Sequence, residues 1–409
     1  MSYSGQNYTT EDSLADLDYY ANKQSPDGPG MTYSVFSIVA NEVSPSGCSA
    51  YTYQQYSTQP YVRAPWFQFS EQLLDDFQAN GGFHPAYPFL TGHGGANQVV
   101  LFGYLGLRLV PDWILHIDPS LPPQIPTLRY RTFYWQGWPI SAYSNQTHTV
   151  LSRPSNIPLA AGAVPNATFA QTPIPIAVGS INGQQERYSL LANGTLTVRN
   201  RQIGNIASIP NNVCQCQPAF SDAEIIPGQF AIGAVDGASS TKFQPLYANQ
   251  TAQLTVQLPL GHQVLGFRFE WAQAPPYNYS VYFHNDSSIS TDFSTATAQT
   301  VIQNATVSIS DAFNAQNAAQ IEAPGQNVST IFFNGTKTFN DGQFLVPDLW
   351  TSSYATLVIW GSLYNSSYTP QTMTGDGAQV AEWCVIVDDQ TSTATGQSGS
   401  GTVNGFRLP

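Results

Sequence analysis

The sequence predicts an α + β multidomain chain, helical at its N-terminal end and β-rich beyond it. Three observations predict this. Residues 31–43 and 49–57 are apolar-aromatic runs of helical length bounded by Gly/Pro breakers. From about residue 114 the pattern shifts to short alternating or β-branched runs between Pro and Gly turns. At 409 residues, with Gly 32 and Pro 29, the chain is long enough for several cores and rich in turns. The predicted units are a helical one over 1–110, an antiparallel β unit over 111–208, a β-sandwich over 209–390 and a flexible tail over 391–409.

Within the first unit, residues 31–43 (MTYSVFSIVANEV) follow the breaker PDGPG and stop at the turn SPSG. Residues 49–57 form a second helix. Ala64-Pro65 is expected to open a third through WFQFSEQLLDDFQAN, with Pro in the first turn and Gly81-Gly82 as the stop. After Gly94-Gly95, residues 96–107 are apolar on nearly every face, which predicts a buried fourth helix. Strands are expected at 115–118, 128–135, 139–142, 174–178 and 196–198, with a long loop over 154–175. The third unit reads as strands at 254–260, 264–271, 280–283, 328–333, 355–360 and 380–387.

Charged residues make up only 10% and the net charge is −13, which argues against nucleic acid or an anionic membrane as partner. There is no run of 18 apolar residues, so no membrane insertion is expected. Asn-X-Ser/Thr occurs at Asn7, Asn145, Asn166, Asn193, Asn249, Asn278, Asn285, Asn304, Asn327, Asn334 and Asn365, well above chance, and reads as glycosylation in the secretory pathway. Residues 1–10 do not read as a signal peptide, so the expectation is the C-terminal part of a longer secreted protein, destined for the extracellular space, cell wall or vacuole. Cys48, Cys214, Cys216 and Cys384 fit an oxidising compartment. Cys216–Cys384 is the expected disulfide, joining the first and last strands of the sandwich. No metal-ligand spacing and no cofactor motif is present.

Few residues carry chemistry. Glu42 stands at the end of an apolar helix beside a Ser-Pro turn, a setting for a general acid or base. Inverting glycoside hydrolysis needs two carboxyl groups ~6.5–9.5 Å apart, one of which protonates the leaving oxygen while the other activates water. Lys23-Gln24 offers donors and an acceptor for sugar hydroxyls, His84 and His93 flank the glycine loop, and Trp66, Trp135 and Trp138 carry faces on which a sugar can stack. Against these stand ordinary readings: a helix-end Glu, a solvated Lys-Gln pair, and a Trp-Gln-Gly-Trp turn packed in a core.

Taken in order, Lys23-Gln24, the stretch NEVSPS from Asn41 and the stretch GGANQVVLFGYLGLR from Gly94 resemble glycoside hydrolase family 65. DGPGMTYSVFSIVANEVSPSGCSAYTY and RAPWFQFSEQ…HPAYPFLTGHGG resemble its fungal acid trehalase branch, and the likeness covers about residues 12–150. It implies the C-terminal part of an (α/α)6 toroid followed by that family's β domain, acting on trehalose without a cofactor. It assigns Glu42 as general base, where the family's phosphorylases hold phosphate in a Ser-Ser-Leu-Ser-Pro turn, and a carboxylate there favours hydrolysis. It also implies substrate-binding roles for Lys23, Gln24, Ser44, His93, Gly94 and Gly95, and a general acid outside this chain. Residues 217–271 resemble a discoidin-like galactose-binding sandwich, which implies a cell-wall glycan as a second partner. The rival readings are a disaccharide phosphorylase of the same fold and a non-catalytic wall-binding protein.

Overall fold

The computed structural model describes residues 9–25, 28–78, 80–162, 164–201, 209–259, 264–285, 298–307, 328–332, 337–339, 342–344, 352–363 and 377–387. The expected tail lies outside them, as do Asn7, Asn327, Asn334 and Asn365. The chain is mixed and mostly β, with few helices.

A helix not expected individually comes first. In α1 (Thr10–Lys23) the Thr9 hydroxyl accepts from the Asp12 amide and the Asp12 carboxylate accepts from the Thr9 amide, a reciprocal cap. α2 (Thr32–Val43) and α3 (Cys48–Thr58) follow, with Gly47 turning between them at φ 68°. Leu17, Tyr33, Phe36, Ala40, Tyr53 and Tyr61 close one apolar cluster, in which the Tyr33 and Tyr56 rings stack at 3.7 Å.

The third helix does not form. Val62–Arg63 (β1) and Gln68–Phe69 (β2) pair as a hairpin, with Pro65 in cis and Phe67 at φ 52°, outside helical space. The acidic groups that a helix would have turned to solvent are bound within the loop instead. Asp75 accepts from Arg63 and from Ser70, and Glu71 Oε2 accepts from the Ala86 amide at 2.8 Å. The fourth helix starts earlier than expected. α4 (Leu90–Gln98) runs into a π-helical turn, Val99–Tyr104. Burial all round is also corrected, because Asn97 and Gln98 are exposed, whereas Val99, Tyr104, Leu105 and Leu107 enter a core.

The next unit contains β3 (Leu115–Ile117), β4 (Thr127–Trp135), β5 (Trp138–Asn145), β6 (His148–Ser152), β7 (Ile174–Val178), β8 (Glu186–Leu190) and β9 (Thr195–Arg199). One sheet is antiparallel in the order β4-β5-β6-β9. In the second, β3-β7-β8, β3 runs parallel to β7, so the wholly antiparallel expectation is corrected. The intervening β4, β5 and β6 supply the long crossover that a parallel pair needs. Gln136 (φ 50°) and Gly137 (φ 83°) make the tight β4–β5 turn. A Cβ on Gly137 would meet Pro165 Cα at 2.6 Å.

The last unit holds β10 (Ala219–Ser221), β11 (Thr251–Gln257), β12 (Val264–Glu270), β13 (Asn278–His284), β14 (Gln299–Thr306), β15 (Val328–Phe332), β16 (Lys337–Phe339), β17 (Gly342–Phe344), β18 (Tyr354–Trp360) and β19 (Glu382–Val387). The sheets β10-β11-β18-β13-β14 and β15-β12-β19 share one core, built on Leu254, Phe267, Phe269, Trp271, Leu357 and Trp383. Stacking of Phe269 on Trp271 at 4.8 Å sits at its centre.

Cys216 is bonded to Cys48, not to Cys384, with the two Cα atoms 5.7 Å apart. Cys216 lies in a left-handed turn (φ 64°) facing the start of α3, whereas Cys384 is a buried thiol in β19, opposite Arg268. The bond therefore ties the helices to the sandwich. Around it Ser46 Oγ donates to the Asp236 carbonyl at 2.6 Å, the Tyr53 and Ser240 hydroxyls lie 2.5 Å apart, and Ser240 donates to Asp18 at 2.6 Å.

Candidate active site

Glu42 stands in the last turn of α2 with its side chain exposed, and Arg108 Nη2 donates to its Oε2 at 2.7 Å. Arg108 is itself aimed: its Nη1 donates to the carbonyls of Phe102 (2.6 Å) and Leu107 (3.0 Å). A guanidinium so fixed orients the carboxylate through a charge-assisted bond. Oε1 makes no hydrogen bond among the described residues.

The residue before it secures the helix end. Asn41 is buried, and its Nδ2 donates to Ser120 Oγ (2.8 Å) and to the Gly103 carbonyl (3.0 Å). Its carbonyl accepts from Arg201 Nη2 at 2.7 Å, and Arg201 Nε is held by Asp118 at 2.9 Å. The β unit thus positions the backbone of Glu42. Neither Arg108 nor Arg201 is found by local sequence reading, since their partners lie far off in the chain.

The other expected residues are distributed around α2. Ser44 is buried and its hydroxyl bonds with Ser46 (3.3 Å) and Ser49 (3.2 Å), contacts that shape the turn into α3. Lys23 ends α1 half-buried, and Gln24 caps it with its side chain donating to the Ser25 carbonyl at 3.2 Å. His93 packs edge-on to Phe69 at 4.8 Å, and its Nε2 accepts from the Phe69 amide at 3.3 Å. Gly95 presses on α2, where a Cβ would meet Ser34 Oγ at 2.3 Å, whereas Gly94 has open space beside it. Ser34 and Glu42 are separated by roughly 12 Å of helix rise. His93 to Gly95 and Glu42 therefore belong to opposite ends of α2 rather than to one cluster. Of the tryptophans, Trp66 is 77% exposed, Trp135 is core, and Trp138 lies under the Arg153 guanidinium at 4.5 Å.

Seven sequon asparagines are described. Asn193, Asn249, Asn285 and Asn304 are exposed, and Asn145, Asn166 and Asn278 are half-buried. Asn145 Oδ1 accepts from the amides of Thr147 and His148, both at 2.8 Å, and Asn166 Oδ1 accepts from the Thr168 amide at 3.0 Å.

As a class, then, this is a helical segment with a carboxylate at a helix-to-turn junction, braced by a β unit and joined covalently to a β-sandwich. By sequence it is similar to fungal acid trehalases. It is 50% identical over 396 residues to the cell wall acid trehalase of Arthroderma benhamiae, covering 93% of this chain and 36% of that protein. To the acid trehalase of Emericella nidulans it is 59% identical over 285 residues, 68% of this chain and 27% of that protein. A more distant relative is the kojibiose hydrolase of Mucilaginibacter mallensis, 29% identical over 108 residues, 26% of this chain and 14% of that protein. The chain spans about a third of the length of the first of these relatives. No family model matches it. Among solved structures, chitosan-binding module 1 of a Paenibacillus chitosanase/glucanase aligns with 43% of this chain and 97% of its own, at 18% identity and a TM-score of 0.28.

Proposed function

We propose that this chain is the C-terminal portion of an acid α,α-trehalase of glycoside hydrolase family 65, which hydrolyses trehalose to two glucoses with inversion. Residues 1–110 would be part of its (α/α)6 toroid, residues 111–208 its β domain and residues 209–390 a discoidin-like sandwich directed at cell-wall glycan. The observation that carries the reading is Glu42, exposed at the end of α2 with one carboxylate oxygen held by Arg108. In that arrangement Oε1 takes a proton from water as the water attacks the anomeric carbon, and the Arg108 bond keeps Oε2 from turning toward it. A negative group at that position also opposes phosphate, which disfavours phosphorolysis. The general acid belongs to the part of the enzyme outside these residues. Lys23 and Gln24 would bind the glucosyl unit next to the scissile bond, and the sequons would be glycosylated on the way to the cell wall.

The test is Glu42→Gln in the full-length enzyme, which should abolish trehalose hydrolysis while leaving trehalose binding in place. Parental turnover in that variant overturns the reading, and trehalose hydrolysis by the purified 409-residue chain overturns the placement of the general acid outside it.

A further inference from the structure

One end of the five-stranded sheet brings together four residues by register alone. Thr251 on β11 opposes Trp360 on β18, Trp360 opposes Asn278 on β13, and Asn278 opposes Thr306 on β14. Three of the four belong to different sequons. Thr251 completes the one at Asn249, Asn278 begins its own, and Thr306 completes the one at Asn304. The fourth, Trp360, is 45% exposed, and its ring lies 6.0 Å from that of Tyr277, which is 50% exposed.

This aromatic pair is fixed in place. The Tyr277 amide donates to the Trp360 carbonyl at 3.0 Å, and Gly361 turns the chain at φ 74° directly under the Tyr277 ring, where a Cβ would meet Cδ2 at 2.2 Å. The neighbours Tyr279 and Ile359 face the core, so Trp360 and Asn278 share the opposite face. Directly opposed residues of an antiparallel pair hold their Cβ atoms about 4.5–5.5 Å apart. That is within the span of a single sugar attached to the Asn278 amide. Apolar surface of this kind at the exposed end of a sheet face calls for a cover, and a sugar face supplies one.

We propose that Asn278 carries an N-linked glycan whose first sugar packs over the Trp360–Tyr277 pair, with glycans at Asn249 and Asn304 beside it. In the attachment step the Asn278 amide nitrogen attacks the anomeric carbon of a polyprenyl-diphosphate-linked oligosaccharide. The new N–C bond replaces the C–O bond to diphosphate, which leaves with the electron pair, while the amide proton passes to a base of the transferase. Covalent attachment beside the rings gives this sugar an effective concentration that a soluble wall fragment does not match. The inference rests on the secretory reading above and adds the site and its aromatic cover.

The experiment uses the full chain secreted from a eukaryotic host. Peptide mapping after enzymatic deglycosylation in heavy-oxygen water reads occupancy at each sequon. The Trp360 component of acrylamide quenching is taken as the difference between the parent and Trp360→Phe, with glycans intact and in Asn278→Gln. Occupied Asn278, with Trp360 quenched more strongly once that glycan is lost, is the expected result. Trimming the folded protein with an endoglycosidase to a single sugar, which changes no residue, should leave Trp360 protected. Other sequons occupied with Asn278 bare overturns this inference alone, whereas no glycan anywhere overturns the secretory reading. Occupied Asn278 with unchanged quenching, or protection of Trp360 by added wall oligosaccharide in Asn278→Gln, likewise overturns the assignment.

Discussion

Glu42 Oε2 accepts from Arg108 Nη2 at 2.7 Å, across 66 positions of sequence. Within the proposed enzyme the two act differently. Glu42→Gln should lower kcat by about 10²–10⁴-fold, the range for loss of a general base. Arg108→Met leaves the base but unfixes its carboxylate, so kcat should fall less than in Glu42→Gln while KM for trehalose changes little. Steady-state kinetics of both variants in the full-length enzyme check this. A kcat unmoved by Arg108→Met would reduce that arginine to a structural role.

The seam between helices and sandwich buries three carboxyl groups, and each is raised above the ordinary range. Burial pushes Asp236 up to about 7, against hydrogen bonds from Thr241 and the Ala238 amide. Burial and then the neighbouring Asp236 push Glu382 well up, although Gly237 N–H donates to its Oε1 at 2.6 Å. Asp18 is raised by burial, offset in part by Ser240. Tyr53, Glu270, Arg268 and the buried thiols of Cys214 and Cys384 are further titratable or charged groups around the cluster among the described residues. Folded pKa values above the unfolded ones mean that the protonated cluster stabilises the fold fully below about pH 4 and loses this as pH rises through about 7. The Tm should therefore fall by roughly 5 °C or more between about pH 4 and pH 8. Asp236→Asn with Glu382→Gln should flatten that dependence. Calorimetry over this range decides, and an unaltered slope in the double variant sinks the account.

Thiol labelling under denaturing, non-reducing conditions should reach Cys214 and Cys384 and spare Cys48 and Cys216. Cys48→Ser, which opens a loop with a sequence separation of 168, should cost about 2–5 kcal/mol of stability. Labelling of Cys216 in the intact protein would contradict the bond.

Gly106 joins the π-helical turn to the β unit at φ 64°, and a Cβ there would lie 2.3 Å from the Asp118 carbonyl oxygen. Gly106→Ala should destabilise by more than about 2 kcal/mol, since it adds a backbone clash to left-handed strain. Denaturant unfolding measures it, and because Asp118 also anchors Arg201, any surviving protein should show a loosened Glu42.

What could be read in the sequence was mostly local. The helix at Thr32–Val43 and the strand at Tyr354–Trp360 carry their period in their own side chains. Residues 65–79 carry a helix-like pattern as well, but Asp75 and Glu71 find partners at Arg63, Ser70 and the Ala86 amide, and those bonds override it. The pairing of Cys48 with Cys216 depended on how two units dock, which no spacing rule encodes. The same holds for the site. The helix-end placement of Glu42 was legible, while Arg108 and Arg201 reach that helix end from distant segments. The bonds of Ser44 to Ser46 and Ser49 were not legible, because a hydroxyl in a turn looks alike in sequence whatever it faces.

The Cys48–Cys216 bond has a consequence for survival outside the cell. Every peptide bond between those two residues lies inside a closed covalent ring, and the ring takes in the whole β unit that braces Glu42. A single protease cut anywhere in the ring nicks the chain without releasing either piece. Until the bond is reduced, the nicked fragments remain one molecule, so integrity on a denaturing gel depends on the reductant rather than on the protease.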